Sequence, residues 1–137
     1  MKTPWFAAAA SAVLALSASA CAASTQGDEG PSEEAAERLA DFERTGETRN
    51  CLQLTRIDSI KPLDEKYFLV ETRGDGYYLN IVNGRCSQAD GAFTFLEYNT
   101  STSSLCANEI VRVRTRSDGG VIGSCSLSQF ETLDPRE

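Results

Sequence analysis

No histidine stands anywhere in the 137 residues. That removes the commonest general base, the Ser-His and Cys-His nucleophile pairs and every histidine-based metal site. No Cys-x-x-Cys pair occurs either; the last four cysteines lie 35, 20 and 19 positions apart. Zinc knuckles and thioredoxin-type redox motifs are therefore without support, and neither a metal nor a cofactor is expected. There is no basic surplus: the formal charge is −7. Nucleic acid is excluded as a partner, because phosphate-backbone binding needs a basic surface. No apolar run is long enough to cross a bilayer. The longest, residues 5–16 (WFAAAASAVLAL), falls short of the roughly 20 residues a spanning helix needs.

That run still has a purpose. Lys2 precedes it, small residues follow it, and Cys21 comes next. The layout is that of a secretory signal over residues 1–20. Residues 16–21 (LSASAC) resemble a bacterial lipoprotein signal, with Ala18 where that signal usually has leucine. Cysteine parity favours this form over plain cleavage after Ala20, Ala22 or Ala23. Five cysteines are odd for an oxidising compartment; with Cys21 as a lipid carrier, Cys51, Cys86, Cys106 and Cys125 make two disulfides. The expected location is the periplasmic side of an envelope membrane, more specifically the outer membrane, with a soluble exported protein as the alternative. The membrane is then a partner through the anchor.

Residues 21–31 have linker composition. A short helix and lead-in are expected over residues 32–48, with Ser32 as N-cap, Glu33 and Glu34 in the first turn and Gly46 as the stop. Residues 49–137 form the β domain. Strands are expected at residues 51–57, on both sides of residues 74–76, from residue 92, at 110–116 and from 121 to 125. Residues 58–66 read as a connection. The resulting fold class is mainly β: a small antiparallel barrel or sandwich of about six strands with a short N-terminal helix.

Residues 67–86 (YFLVETRGDGYYLNIVNGRC) are the most ordered stretch. Placing Asp75-Gly76 in a two-residue turn sets Val70 opposite Ile81 and Thr72 opposite Leu79. Phe68, Val70, Thr72, Tyr77, Leu79 and Ile81 then share the core face. The Arg73-Gly74-Asp75 tripeptide spells an adhesion motif, but the turn itself asks for glycine and aspartate. Residues 117–120 (SDGG) make a second hairpin turn. In that hairpin Cys125 lies opposite the stretch from Arg112 to Arg114, far from Cys106. The favoured disulfides are Cys86–Cys106 and Cys51–Cys125.

Arg49-Asn50-Cys51-Leu52, Tyr77-Tyr78-Leu79-Asn80, Cys86, Leu105-Cys106 with Glu109-Ile110, and Ser124-Cys125-Ser126-Leu127 with Phe130 carry a resemblance. They resemble a family of small four-cysteine proteobacterial envelope proteins of unknown function, over residues 49–133. Ser128 and Ser87-Gln88-Ala89 depart from the pattern. The resemblance implies export and two disulfides, and supplies no activity.

The candidate binding face is the row Arg112, Arg114 and Arg116 on one strand face, extended by Arg85, with Tyr78 as an exposed aromatic. It suits an anionic glycan, a lipid phosphate or an acidic envelope protein; the plainer account is a solvated face guarding an edge. Asp90, Glu97 and Glu109 are the only carboxylates worth weighing as an acid–base pair, in a domain with little room for a cleft. The expected function is a non-catalytic binding or scaffolding module of the cell envelope. The alternative is a secreted, disulfide-rich inhibitor of an extracytoplasmic enzyme, presenting residues 99–104.

Overall fold

The computed structural model describes residues 30–74 and 76–137. The signal, Cys21, most of the tether and Asp75 lie outside the described residues. Among those described are one helix and ten strands. They are α1 (Glu33–Leu39), β1 (Phe42–Arg49), β2 (Cys51–Gln53), β3 (Ile57–Pro62), β4 (Tyr67–Thr72), β5 (Gly76–Ile81), β6 (Thr94–Tyr98), β7 (Ser104–Cys106), β8 (Ile110–Thr115), β9 (Val121–Ser126) and β10 (Phe130–Pro135). A five-stranded sheet runs β1-β10-β5-β4-β3, a pair runs β2-β7, and a three-stranded sheet runs β6-β8-β9. All pairings are antiparallel.

The fold is mainly β with one short helix, as expected, but it is not a barrel. The five-stranded sheet ends on β1 and β3 and does not close. Three separate sheets cover one another instead. The main core holds Phe68, Val70, Leu105, Val113, Leu127 and Phe130, drawn from all three sheets. Burying side chains of this size contributes about 1.5–3 kcal/mol each. The second face of the large sheet is covered too. Tyr67, Leu69, Leu79 and Leu133 are buried there, with Leu39 of α1 and Phe42 of β1 packed against them.

This two-sided burial corrects the hairpin. Val70 faces Tyr78 and Leu69 faces Leu79, where Ile81 and a partner further along were expected. A shift by an odd number of residues exchanges the faces of one strand. Phe68, Val70 and Tyr78 point to the main core; Tyr67, Leu69, Tyr77, Leu79 and Ile81 point to the second. The connection is longer than two residues, and Gly74 takes its left-handed conformation (φ +101°). A strand covered on both faces reads as an unbroken apolar run, and residues 67–70 (YFLV) are all buried.

The N-terminal segment is also built differently. Ser32 does cap α1, accepting a hydrogen bond from the Ala35 N–H at 3.2 Å. The helix stops at Leu39, however, and residues 42–48, expected as its end and lead-in, lie in β1, paired with β10. Gly46 (φ +79°) sits where that ladder shifts register, between Arg44 and Thr48, so it marks a bulge and not a helix stop. Asp64 ties the helix to the sheet: it accepts from the N–H groups of Ser32 (2.9 Å), Lys66 (2.7 Å) and Tyr67 (2.7 Å).

The disulfides are Cys51–Cys106 and Cys86–Cys125, not the expected pairs. Residues 104–106 fold back as β7 onto β2, which puts Cys51 directly opposite Cys106, with Cα atoms 4.0 Å apart. Cys125 pairs across from Val111. Its strand also bridges to the loop before Cys86, through Asn83 and Ser126, which brings Cys86 and Cys125 to a Cα separation of 5.1 Å. Gly123 permits that approach: a Cβ there would stand 2.8 Å from the Ser87 carbonyl oxygen. Asn80 is wholly buried. Its amide donates to the Ser128 carbonyl (2.8 Å) and its oxygen accepts from the Ser128 N–H (3.0 Å).

Candidate functional site

The arginine row forms, and it is not free. Val111 and Val113 are buried while Arg112 and Arg114 face outward, as strict alternation requires. Across the β6–β8 ladder Glu97 stands opposite Arg112. Its carboxylate lies 2.7 Å from Arg114 Nε and 3.7 Å from Arg112 Nη1. Arg114 also donates to the Gly119 carbonyl at 2.7 Å. The Arg116 guanidinium lies 6.0 Å from the centre of the Phe95 ring, at the limit of a cation–π contact. Arg85 is elsewhere, paired with Glu65 at 3.2 Å, so it does not extend the row. One carboxylate and one ring thus engage the whole row, and Phe95 and Val121, which pair with Arg114 on either side, are also exposed. This is a braced strand face.

Tyr78 does not join it. The tyrosine is half-buried on the main-core side of β5 and lines a pocket of about 540 Å³. Its other lining residues are Arg49, Cys51, Leu52, Gln53, Arg56, Thr72, Arg73 and Gly76. Local backbone geometry explains the convergence. Arg56 closes the single 3-10 turn between β2 and β3. The Arg73 N–H bonds to the Arg56 carbonyl at 2.8 Å, which sets these two arginines side by side. Arg49 ends β1, one residue before the strand that carries Cys51. Tyr78 lies across Gly76: a Cβ at that glycine would be 3.1 Å from the ring.

Three arginines therefore line one pocket in an acidic chain, and no carboxylate lines it among the described residues. Asp58 approaches Arg73 only to 3.8 Å, with both side chains largely exposed, a contact of little energy. No carboxylate partner of Arg49 or Arg56 occurs among the described residues. The arrangement suits anion capture. Guanidinium forks bind anionic oxygens two at a time.

The carboxylates have structural roles. Partial burial works against ionisation of Asp64, but the N–H donors of Ser32, Lys66 and Tyr67 outweigh it and hold its pKa below the usual value. Asp118, at the β8–β9 turn, is lowered by the Thr115 hydroxyl and the Gly120 N–H. Glu97 serves the arginines, and Glu109 accepts from the Cys106 N–H at 2.5 Å. No group of three or more potential metal ligands occurs among the described residues. No helix among them is long and apolar enough to cross a membrane.

Sequence reading missed Arg49, Arg56 and Arg73 as a site. They are spread over 25 positions (49 to 73, inclusive), and only the β3–β4 register and the β1–β2 corner bring them together. No sequence signal marks them, because the same stretch also holds Asp58, Asp64, Glu65 and Glu71.

The chain belongs to a family of unknown function, DUF6491, whose model matches residues 1–137. No curated protein and no solved structure matches it.

Proposed function

We propose that this family member is a non-catalytic binding module of the bacterial cell envelope, and that its working site is the Arg49/Arg56/Arg73 pocket. The observation that carries this reading is the convergence of three arginines on a pocket that no described carboxylate neutralises. A cationic cleft lined by no described carboxylate attracts anions and raises their local concentration. The disulfides support the same reading. Cys51–Cys106 fixes the strand that forms one wall, so the cleft is preorganised before a ligand arrives. The chain is carried on a lipid at Cys21 and faces the periplasm, at the outer membrane. Intact mass of the mature protein tests the anchor: diacylglyceryl on Cys21 is expected, and a mature chain beginning at Ala23 excludes it.

The pocket is tested by replacing Arg56 and Arg73 together with glutamine. Capture of anionic envelope components is expected to fall at least tenfold, with the fold intact because both side chains are exposed. Unchanged capture removes the pocket from the function.

One observation favours a second reading, an exported inhibitor. The loop over residues 99–104 is braced internally: the Thr100 hydroxyl donates to the Thr102 carbonyl (2.6 Å) and the Thr102 hydroxyl to the Ser104 carbonyl (3.0 Å). The Leu54 N–H holds it to the core side through the Ser103 carbonyl (2.9 Å). A loop held this way and stapled by Cys106 has the rigidity inhibitors use. A panel of secreted hydrolases separates the two readings, since no inhibition at micromolar protein eliminates the second.

A further inference from the structure

We infer that the ligand of the arginine pocket is a phosphomonoester carried on a small hydroxylated body such as a sugar. This rests on the anion-pocket reading and names the ligand class for it. Charge is the first reason. A single carboxylate brings one negative charge and two oxygens, which one guanidinium fork already satisfies. Three arginines at one pocket call for more of both. A phosphomonoester brings a charge of about −1.5 to −2 near neutrality and three acceptor oxygens.

Size is the second reason. A volume of about 540 Å³ lies within the roughly 300–1,000 Å³ range of small-molecule sites, far more than an inorganic anion fills. Lining chemistry is the third. Beyond the arginines the walls carry Gln53, Thr72 and the Tyr78 ring. With Leu52 also in the lining, such walls match hydroxyl groups and the apolar face of a sugar ring. Gly76 keeps this wall open. A side chain there would meet the Thr72 hydroxyl at 2.8 Å and the Tyr78 ring at 3.1 Å, displacing the tyrosine.

Glucose 6-phosphate, glucuronate and inorganic phosphate, titrated calorimetrically into the mature chain at low salt, test the assignment. Glucose 6-phosphate is expected to bind at least tenfold more tightly than glucuronate, which matches its ring and carries a carboxylate. Arg56→Gln and Arg73→Gln should each weaken it at least tenfold; Arg112→Gln, whose side chain is engaged by Glu97, should change it less than twofold. Lowering the pH from 7.5 to 5 protonates the phosphate, whose second pKa is about 6, and should weaken glucose 6-phosphate several-fold while leaving glucuronate unchanged. Inorganic phosphate should bind more weakly than the ester; equal affinity overturns the sugar-like body. Glucuronate binding as tightly as the ester overturns the phosphate assignment but keeps the anion pocket. Absence of arginine-dependent binding by any of the three overturns both. The phosphate source is separated with phosphatidic acid vesicles and a Cys21→Ser chain, so that an anchor does not itself deliver the protein. Arginine-dependent capture identifies a lipid headgroup. Binding of the sugar phosphate alone identifies a soluble ester. Binding of the soluble ester upholds the inference whole; vesicle capture without sugar-phosphate binding keeps the phosphate assignment and overturns the hydroxylated body.

Discussion

At the scale of single residues, buried polar contacts decide more than the apolar count does. Asn80 is fully buried and its amide is spent on the Ser128 backbone. Asn80→Ala leaves the part-buried N–H and carbonyl of Ser128 without their side-chain partner, so a loss of about 1–3 kcal/mol is expected in urea titration. Asp64 is the second such residue. Its folded pKa is lowered, so the unfolded chain takes up a proton first as the solution is acidified. The stability it confers is present above the unfolded value, about 4, and is lost as pH falls through the folded value. Asp64→Asn should lower stability at pH 7 and flatten its dependence on pH below about 5, read as thermal midpoints across that range. Ser32 was legible as a cap because serine before Glu-Glu-Ala is a local signal. Asp64 was not, because its partner Ser32 lies 32 positions away.

At the scale of elements, legibility followed one-sidedness. The alternation of residues 110–115 places Val111 and Val113 inward and the arginines outward, and the structure agrees. That strand faces one core. The residue 67–82 hairpin faces two, so composition could not say which face was inside and the register slipped. β10 was missed as a separate strand because Phe130 and Leu133 serve opposite faces and give no period-two pattern. Close approach of β9 to the loop after Cys86 is equally invisible in sequence. Gly123→Ala should cost about 1–3 kcal/mol, since backbone at 2.8 Å leaves no room to yield. A fall in thermal midpoint with unchanged far-ultraviolet dichroism checks it.

At the scale of the whole molecule, three open sheets are held together by two disulfides of different exposure. They close loops of 55 and 39 positions; loop-closure estimates give about 4 kcal/mol for each. Cys51 is exposed at the pocket, whereas Cys86 is wholly buried and Cys125 nearly so. A mild reductant under native conditions should therefore open Cys51–Cys106 first, as read by alkylation and peptide mapping, with Cys86–Cys125 surviving until the domain unfolds. The same topology explains why the site was hidden: cysteine parity signals two bonds, but only the fold-back of β7 onto β2 decides which, and that corner is where the arginines meet. The arginine row, by contrast, was visible as a row and not as a braced one, because Glu97 reaches Arg112 and Arg114 across strands. The most direct measurement follows the arginine side-chain Nε–H signals by NMR while glucose 6-phosphate is added. Saturable shifts at Arg49, Arg56 and Arg73, with Arg112 and Arg114 unmoved, are the expected result. Shifts confined to Arg112, Arg114 and Arg116 would contradict the assignment of this pocket as the working site.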